Sequence, residues 1–461
     1  MSSFLRPAIT SLTWVFVVLF GLTEIARAAV PRPDAPAAIL LVTADQHSAE
    51  QRIAQLVARI DALQATHPGV PMAMLINGDA FEHGNPVARR SAGEIDFALM
   101  AALATRLPTV LNIGNHEAEF ADLPATVTRL RDAGVTVISN LRASADGELF
   151  APTTTTLRLG GRTLVIAGLA TDDLPTYPSA IRSTLTAPAP VAWARQNLPA
   201  FFADADQPVL LSHAGIAADR AILPLVPDGT LFAGAHNHLR FVHPHGRTLY
   251  FHSGYWNEYL TVARLDRDEE GAFHWSVEIQ PILDTDPADP ALADLIARTR
   301  AAHLTPEDRT VVGRTHEALD TATAAQLAIH AVRHATRADA VFIGNTTFGA
   351  GLPAGEITRE AFDAWVRFDG DLCVTEVDGA RLARLLAGAN QNPSTPFEAR
   401  HGEFLYATGP TTIDTTKTYR IVTNDWGARN TARYFGEPTL TWTTLPDLRL
   451  KAAARQAIGS P

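Results

Sequence analysis

The chain has 461 residues, 46% of them hydrophobic, more apolar material than one ordinary core holds, so it points to two folded domains and excludes a disordered polymer. With 38 basic against 49 acidic residues, its formal charge of -11 excludes a broad electrostatic surface for nucleic acid. An anionic substrate must then be held locally, by metals or a few cations, and the single cysteine, Cys373, excludes an internal disulfide.

Taken in chain order, the first residues combine Arg6, an apolar run over 8–22 and the small-x-small triplet Ala26-Arg27-Ala28. This pattern predicts a secretory signal peptide over 1–28, because the run is shorter than the roughly 20 apolar residues that span a bilayer. The expected mature protein is soluble, carries no membrane anchor and is exported; the lone thiol suits a bacterial periplasm. From 37 to 284, short apolar runs alternate with helix-patterned segments, the signature of an α/β domain. The first unit is a buried-strand run over 38–44, then Ser48 and Gln51 as a capping box ahead of Ile53, Leu56, Val57, Ile60 and Leu63 at helical spacing. The proline- and acid-rich DTDPADP at 284–290 marks the domain boundary, and the linker over 285–304 is expected to carry a bridging helix over about 291–302. The second domain, 305–461, begins with a helix over 322–336 and a strand over 339–343, followed by short strands; Cys373, between Leu372 and Val374, reads as a core residue.

Five strand-like runs of the first domain end in residues of metal-ligand type. AILLVTADQH ends in Asp45 and His47, AMLINGD in Asp79, TVLNIGNHE in Asn115 and His116, PVLLSHAG in His213, and TLFAGAHNHL in His236 and His238. Ligands of open α/β sheets bind beyond the carboxyl ends of the strands, so these loops are expected to converge on one crevice. Two aspartates, one asparagine and four of these five histidines suit divalent Mn, Zn, Co, Fe or Ni better than calcium, and they are enough for two ions sharing a bridging carboxylate. Such a pair of ions favours phosphoester cleavage. A lone DxH or HxH is more often a surface hydrogen-bonded pair; it is the succession of all five, each after a strand, that carries weight.

That succession resembles the calcineurin-like metallophosphoesterases, and with the second half it resembles the two-domain 5′-nucleotidase family. The resemblance implies a four-layer α-β-β-α sandwich followed by a smaller α+β substrate-recognition domain. It implies one metal held by Asp45, His47, Asp79 and His238, a second held by Asp79, Asn115, His213 and His236, and in-line attack of activated water on phosphorus. His116 would assist the leaving oxygen, and Glu119 would orient it where the family commonly has aspartate; either acid fixes an imidazole tautomer. The loop GDAFEHG is one residue longer between Asp79 and Gly84 than the commonest pattern, which is expected to alter a loop and not a ligand. The remaining histidines, among them His83, His243, His245, His252 and His274, read as surface or core residues, with His83 the nearest exception.

In the second half, LPAGEIT, then VRFDGDLCVTEVDGARLARLL, match the family run lPaGeit, PFdN, lxGxxLxxlL, and YRIVTND matches the strand leading to the nucleoside pocket. Departures fall where substrate is read. The glycine-rich NGGGIR, whose arginine helps hold phosphate, is replaced by GNTTFGAG, and the segment around GGDGY by WGARNTARYFG. Asn345, Trp426 and Arg429 are the substrate-facing candidates, Trp426 as a stacking ring, with Arg429 or Arg433 offered in place of the missing arginine. The implied partner is a small phosphate ester such as a nucleotide. Two other readings stand beside it: the same site acting on a cyclic phosphodiester, a nucleoside diphosphate sugar or a sulfur-bonded sulfonate, and a periplasmic binding protein with vestigial turnover.

Overall fold

The computed structural model describes residues 35–436 and 439–459, so the signal peptide expected over 1–28 lies outside the described residues. Among them no helix is long and apolar enough to cross a membrane. Among the described residues, twelve strands build the two six-stranded sheets of the first unit. In chain order they are β1 (Ala38–Thr43), β2 (Met72–Asn77), β3 (Thr109–Asn112), β4 (Thr136–Ile138), β5 (Thr154–Leu159), β6 (Arg162–Ala170), β7 (Gln207–His213), β8 (Leu231–Gly234), β9 (Arg240–His245), β10 (Thr248–Ser253), β11 (Tyr259–Arg267) and β12 (Phe273–Pro281). One sheet runs β12-β11-β1-β2-β3-β4 and the other β9-β10-β8-β7-β6-β5. Within each, the central strands are parallel: β1 to β4 in the first, β6, β7, β8 and β10 in the second.

Strand alternation stacks the sheets. Leu40 and Val42 of β1 join Leu75, Val110, Ile166, Val209 and Leu211 in one buried cluster between the sheets. Ile39 and Leu41 point the other way, into a cluster with Leu56 and Ile60 of α1 (Ile53–Thr66) and Leu99 and Leu103 of α2 (Glu94–Arg106). The outer face of the second sheet is covered by α3 (Pro190–Phe201), whose Trp193, Ala194 and Leu198 pack with Leu210 and Phe232. Strands buried on both faces read as continuous apolar runs, and the four layers follow.

The start of α1 departs from the expected capping box. Its N-cap is Arg52, in a left-handed conformation with no side-chain cap. The Ser48 hydroxyl that was to cap it instead accepts the Glu82 backbone N–H at 2.9 Å.

After 284–290 comes α4 (Pro290–His303), capped by Asp289, which accepts Leu292 N–H at 2.8 Å. The second unit sets α5 (Thr321–Thr336) against a five-stranded sheet of β13 (Ala340–Gly344), β14 (Asp371–Asp378), β15 (Leu405–Thr408), β16 (Thr418–Asn424) and β17 (Thr443–Arg449). Ala324, Ala328, Ile329 and Val332 of α5 pack on Val341, Ile343, Leu372 and Val422. Cys373 is buried in β14, as a core residue would be. This unit sits over the carboxyl ends of the parallel strands, tied down by Arg433 to Asp173 at 2.6 Å, Arg90 to Asp308 at 2.6 Å, and Arg300 of α4, which meets Glu50 on one side and Glu360 on the other.

Candidate metal centre

The loops that leave β1, β2, β3, β7 and β8 meet at one edge of the sandwich, and Asp79 lies at the centre of the meeting. Its Oδ1 accepts the backbone N–H groups of Asn115 at 2.8 Å and His116 at 2.9 Å. That fixes Oδ2 toward His213 Nε2 at 3.1 Å and His47 Nε2 at 4.0 Å. Asp45 accepts the His236 backbone N–H at 3.0 Å and stands 3.9 Å from His213 Nε2. Asn115 Oδ1 contacts His236 Nδ1 at 2.9 Å, and His47 Nε2 faces His238 Nε2 at 2.7 Å. Asp45, His47 and His238 thus form one group of donors and Asp79, His213 and His236 another, each with its atoms within 4.8 Å of one another.

The backbone is bent to achieve this. Asp45, His47, Asp79, His236 and His238 all have φ between 50° and 78°, a left-handed conformation that costs about 1 kcal/mol or more per residue and persists only where the surroundings enforce it. Here the enforcement is visible: Asp45 N–H donates to Gly78 O at 3.1 Å and His47 N–H to Asp79 O at 2.9 Å. Gly114 has to be glycine for a different reason, since a Cβ there would run into the Asp79 carboxylate and stand 2.9 Å from His213 Nε2.

The donor set fits a divalent cation. His47 Nδ1 and His238 Nδ1 are buried without a hydrogen-bond partner, and His213 Nε2 faces the Asp79 carboxylate. Two neutral imidazole nitrogens at 2.7 Å can share one proton in a hydrogen bond or turn both lone pairs onto a cation between them. Burial holds His47 and His236 well below the usual imidazole range and His238 down to about 3, which leaves them neutral, the form that ligates metals. Burial also pushes the Asp79 carboxyl up, but His213 and His116 outweigh it and keep Asp79 ionised. Mixed carboxylate, amide and imidazole donors suit first-row transition ions.

Residues 39–240 match the calcineurin-like phosphoesterase family, and residues 299–410 match the 5′-nucleotidase C-terminal domain. The chain belongs to the two-domain 5′-nucleotidase family. Its fold is shared with a 5′-nucleotidase precursor from Thermus thermophilus (18% identity, 91% of this chain and 96% of that one covered, TM-score 0.60). It is also shared with the sulfate thiohydrolase SoxB from the same organism (15%, 93% and 96%, 0.64) and a 5′-nucleotidase from Candida albicans (12%, 93% and 99%, 0.59). No curated protein matches the chain in sequence. As a metallophosphoesterase with a 5′-nucleotidase C-terminal domain the protein is a hydrolase, of a family that uses divalent metals.

Between the two units of this 5′-nucleotidase family member lies a cavity of about 340 Å³, lined by His47, Asp79, His116, His236 and His238 below and by Thr346, Thr347, Arg367, Phe368, Trp426 and Arg429 above. His116 Nδ1 is 2.6 Å from Glu119 Oε1. Burial alone would lower the His116 pKa, but Asp79 and Glu119 raise it to about 9. Trp426, 36% exposed, lines the cavity while its indole N–H donates to Tyr434 Oη at 3.2 Å, and Phe368, 49% exposed, lines it too. Arg429 lines the cavity at its solvent side, paired with Asp425 at 2.8 Å. Arg433 is engaged by Asp173 and Glu403, and Asn345 is buried with its amide donating to Asn237 O at 3.2 Å, so Thr346 and Thr347 line the cavity in its segment.

Four residues escaped sequence reasoning. Phe368 lay inside the quoted VRFDG without being singled out, and Glu117 of GNHE accepts the N–H groups of Ala80 at 2.8 Å and Gly114 at 2.6 Å, bracing both loops. Glu82 lies in the lengthened GDAFEHG loop with its Oε2 3.5 Å from His47 Nδ1, so this loop reaches the site. Arg367 stands where the family pattern has the proline of PFdN. His83 lies at the edge, 3.3 Å from Glu119 O, while His252 is a core residue against Tyr250 Oη at 2.7 Å.

Proposed function

We propose that the protein hydrolyses nucleotides or related small phosphate esters, with Asp45, His47, Asp79 and His238 holding one divalent ion and Asp79, Asn115, His213 and His236 a second. The observation that carries this reading is that the metal-type donors and His116 face the same cavity as two exposed aromatic rings. When bound, such ions would polarise a phosphate oxygen and lower the pKa of water. The protein's own part is positional and acid-base. Glu119 accepts from His116 Nδ1, which fixes the tautomer and favours the cation, so Nε2 carries the proton that the departing alkoxide takes. The two N–H groups on Asp79 Oδ1 hold its carboxylate in one orientation for a bridging role. Trp426 and Phe368 offer faces on which a base stacks, which favours nucleotides among phosphate esters. Export by way of the 1–28 segment belongs to the same reading.

The test is release of inorganic phosphate from AMP and p-nitrophenyl phosphate by protein loaded with Mn or Co, alongside a cyclic 2′,3′-nucleotide and a nucleoside diphosphate sugar. Asp79→Asn is expected to lower turnover by about 1,000-fold or more with an unchanged circular dichroism spectrum. Metal-loaded protein that leaves every ester in the panel intact would refute the proposal.

A further inference from the structure

Two departures from the family pattern, far apart in sequence, meet in space. The lengthened loop GDAFEHG contributes Glu82, and the segment VRFDG contributes Arg367 in place of a proline. The Arg367 guanidinium hydrogen-bonds the Glu82 carboxylate across the two units, and both side chains are only 6% exposed. Its carbon lies 4.8 Å from the centre of the Phe368 ring and 5.3 Å from that of Trp256, aromatic neighbours that restrict how it can turn. The Arg367 backbone N–H donates to Thr347 O at 3.0 Å, anchoring the main chain at the cavity wall.

A guanidinium has five N–H donors in a fixed fork. Glu82 and, at 3.4 Å, the Thr346 carbonyl engage two of the Arg367 donors. The residue lines the same cavity as His47, Asp79 and His116. The other arginines considered for this task are occupied elsewhere: Arg433 by Asp173 and Glu403, Arg429 by Asp425 in solvent. GNTTFGAG supplies none. A buried arginine balanced by one carboxylate and placed beside a cluster of metal-type donors matches the geometry of bidentate oxyanion recognition, for which a lysine's point charge is a poor substitute.

We infer that Arg367 is the cation that grips the phosphate group of the substrate, and that Glu82 is the positioning residue that aims it. The inference rests on the phosphoester hydrolase reading above. Two consequences follow from the pair. The phosphate site is completed only when the second unit is seated on the first, and Glu82 links the fork to the His47 imidazole at 3.5 Å, so the anion site and the donor cluster are held in register by one carboxylate.

The experiment compares metal-loaded wild type with Arg367→Gln, Arg367→Lys and Glu82→Gln by calorimetric binding of orthophosphate, by the KM and kcat for AMP, and by metal content and thermal midpoint. For Arg367→Gln, orthophosphate affinity is expected to fall about tenfold or more, with KM rising in step and metal content unchanged. Arg367→Lys, which keeps the charge and the partner of Glu82, should recover part of the affinity, and it decides the matter should the glutamine variant fail to fold. Glu82→Gln, which leaves the cation without its aim, should fall between. Orthophosphate affinity within about twofold of wild type in Arg367→Gln, or in Arg367→Lys if only that variant folds, would overturn the inference and leave Arg367 as a tie between units. Wild type that neither binds orthophosphate nor hydrolyses any ester would sink the underlying reading, and this inference with it.

Discussion

Glu119 and His116 are three residues apart and 2.6 Å from contact between Oε1 and Nδ1, close enough for a charge-assisted hydrogen bond. If that bond sets the protonation of His116, Glu119→Gln should cut kcat by about 10- to 100-fold while changing KM little. It should also shift the alkaline limb of the rate profile to lower pH. The sign follows from the role: the acid must be protonated to act, activity is lost as pH rises through its pKa, and removing the carboxylate charge lowers that pKa. A pH–rate comparison of the two proteins reads the effect, and an unmoved limb would show that Glu119 is structural. At this scale the meeting of Asp45, His47, Asp79, Asn115, His213, His236 and His238 was legible because each closes an apolar strand run, so residue type and position spoke together. Glu82 and Arg367 were not, because their meaning arises only when positions 285 apart come into contact.

The strand ends are the elements that make the site, and they do so under strain. Left-handed Asp45, His47, Asp79 and His236 are held by loop-to-loop hydrogen bonds, and Gly114 leaves room for the Asp79 carboxylate and His213 ring to approach the β3 loop. Gly114→Ala is therefore expected to destabilise the protein by about 1–3 kcal/mol and to lower the metal held per chain. Urea unfolding and elemental analysis of the same sample measure both; full metal content would show that the loops can part without losing the donors. Helix and strand positions were read well where apolar periodicity was strong, as in α5, expected over 322–336 and found at Thr321–Thr336. The capping box ahead of α1 was not, since Ser48 is drawn into the Glu82 loop by a contact that local sequence does not encode.

Across the whole molecule, the second unit is fastened over the first by a shared apolar cluster, in which Phe397 meets Phe241 and Tyr250, and by ion pairs. Asp308 shows how such a tie responds to pH. The hydrogen bond from Arg90 holds its carboxyl well below the usual range, burial opposing, with Thr305 adding two more hydrogen bonds at 2.7 Å. A depressed folded-state pKa gives stability that is fully present above the unfolded value near 3.9 and fades as pH falls through the folded one. Asp308→Asn should accordingly lower stability by about 1 kcal/mol at pH 7 and progressively less toward pH 3, seen as converging thermal midpoints. Midpoints separated equally at both pH values would place the effect elsewhere. The overall sandwich was legible from alternating strands and helices; how the second unit docks was not, because its apolar contacts and ion pairs join residues far apart in the chain. The proposed centre is five strand ends caging two ions with Asp79 between them. Anomalous scattering from crystals grown with manganese tests this most directly: two peaks per chain are predicted, one beside Asp45, His47 and His238 and one beside Asn115, His213 and His236, and a single peak or none at full occupancy of manganese in solution would contradict it.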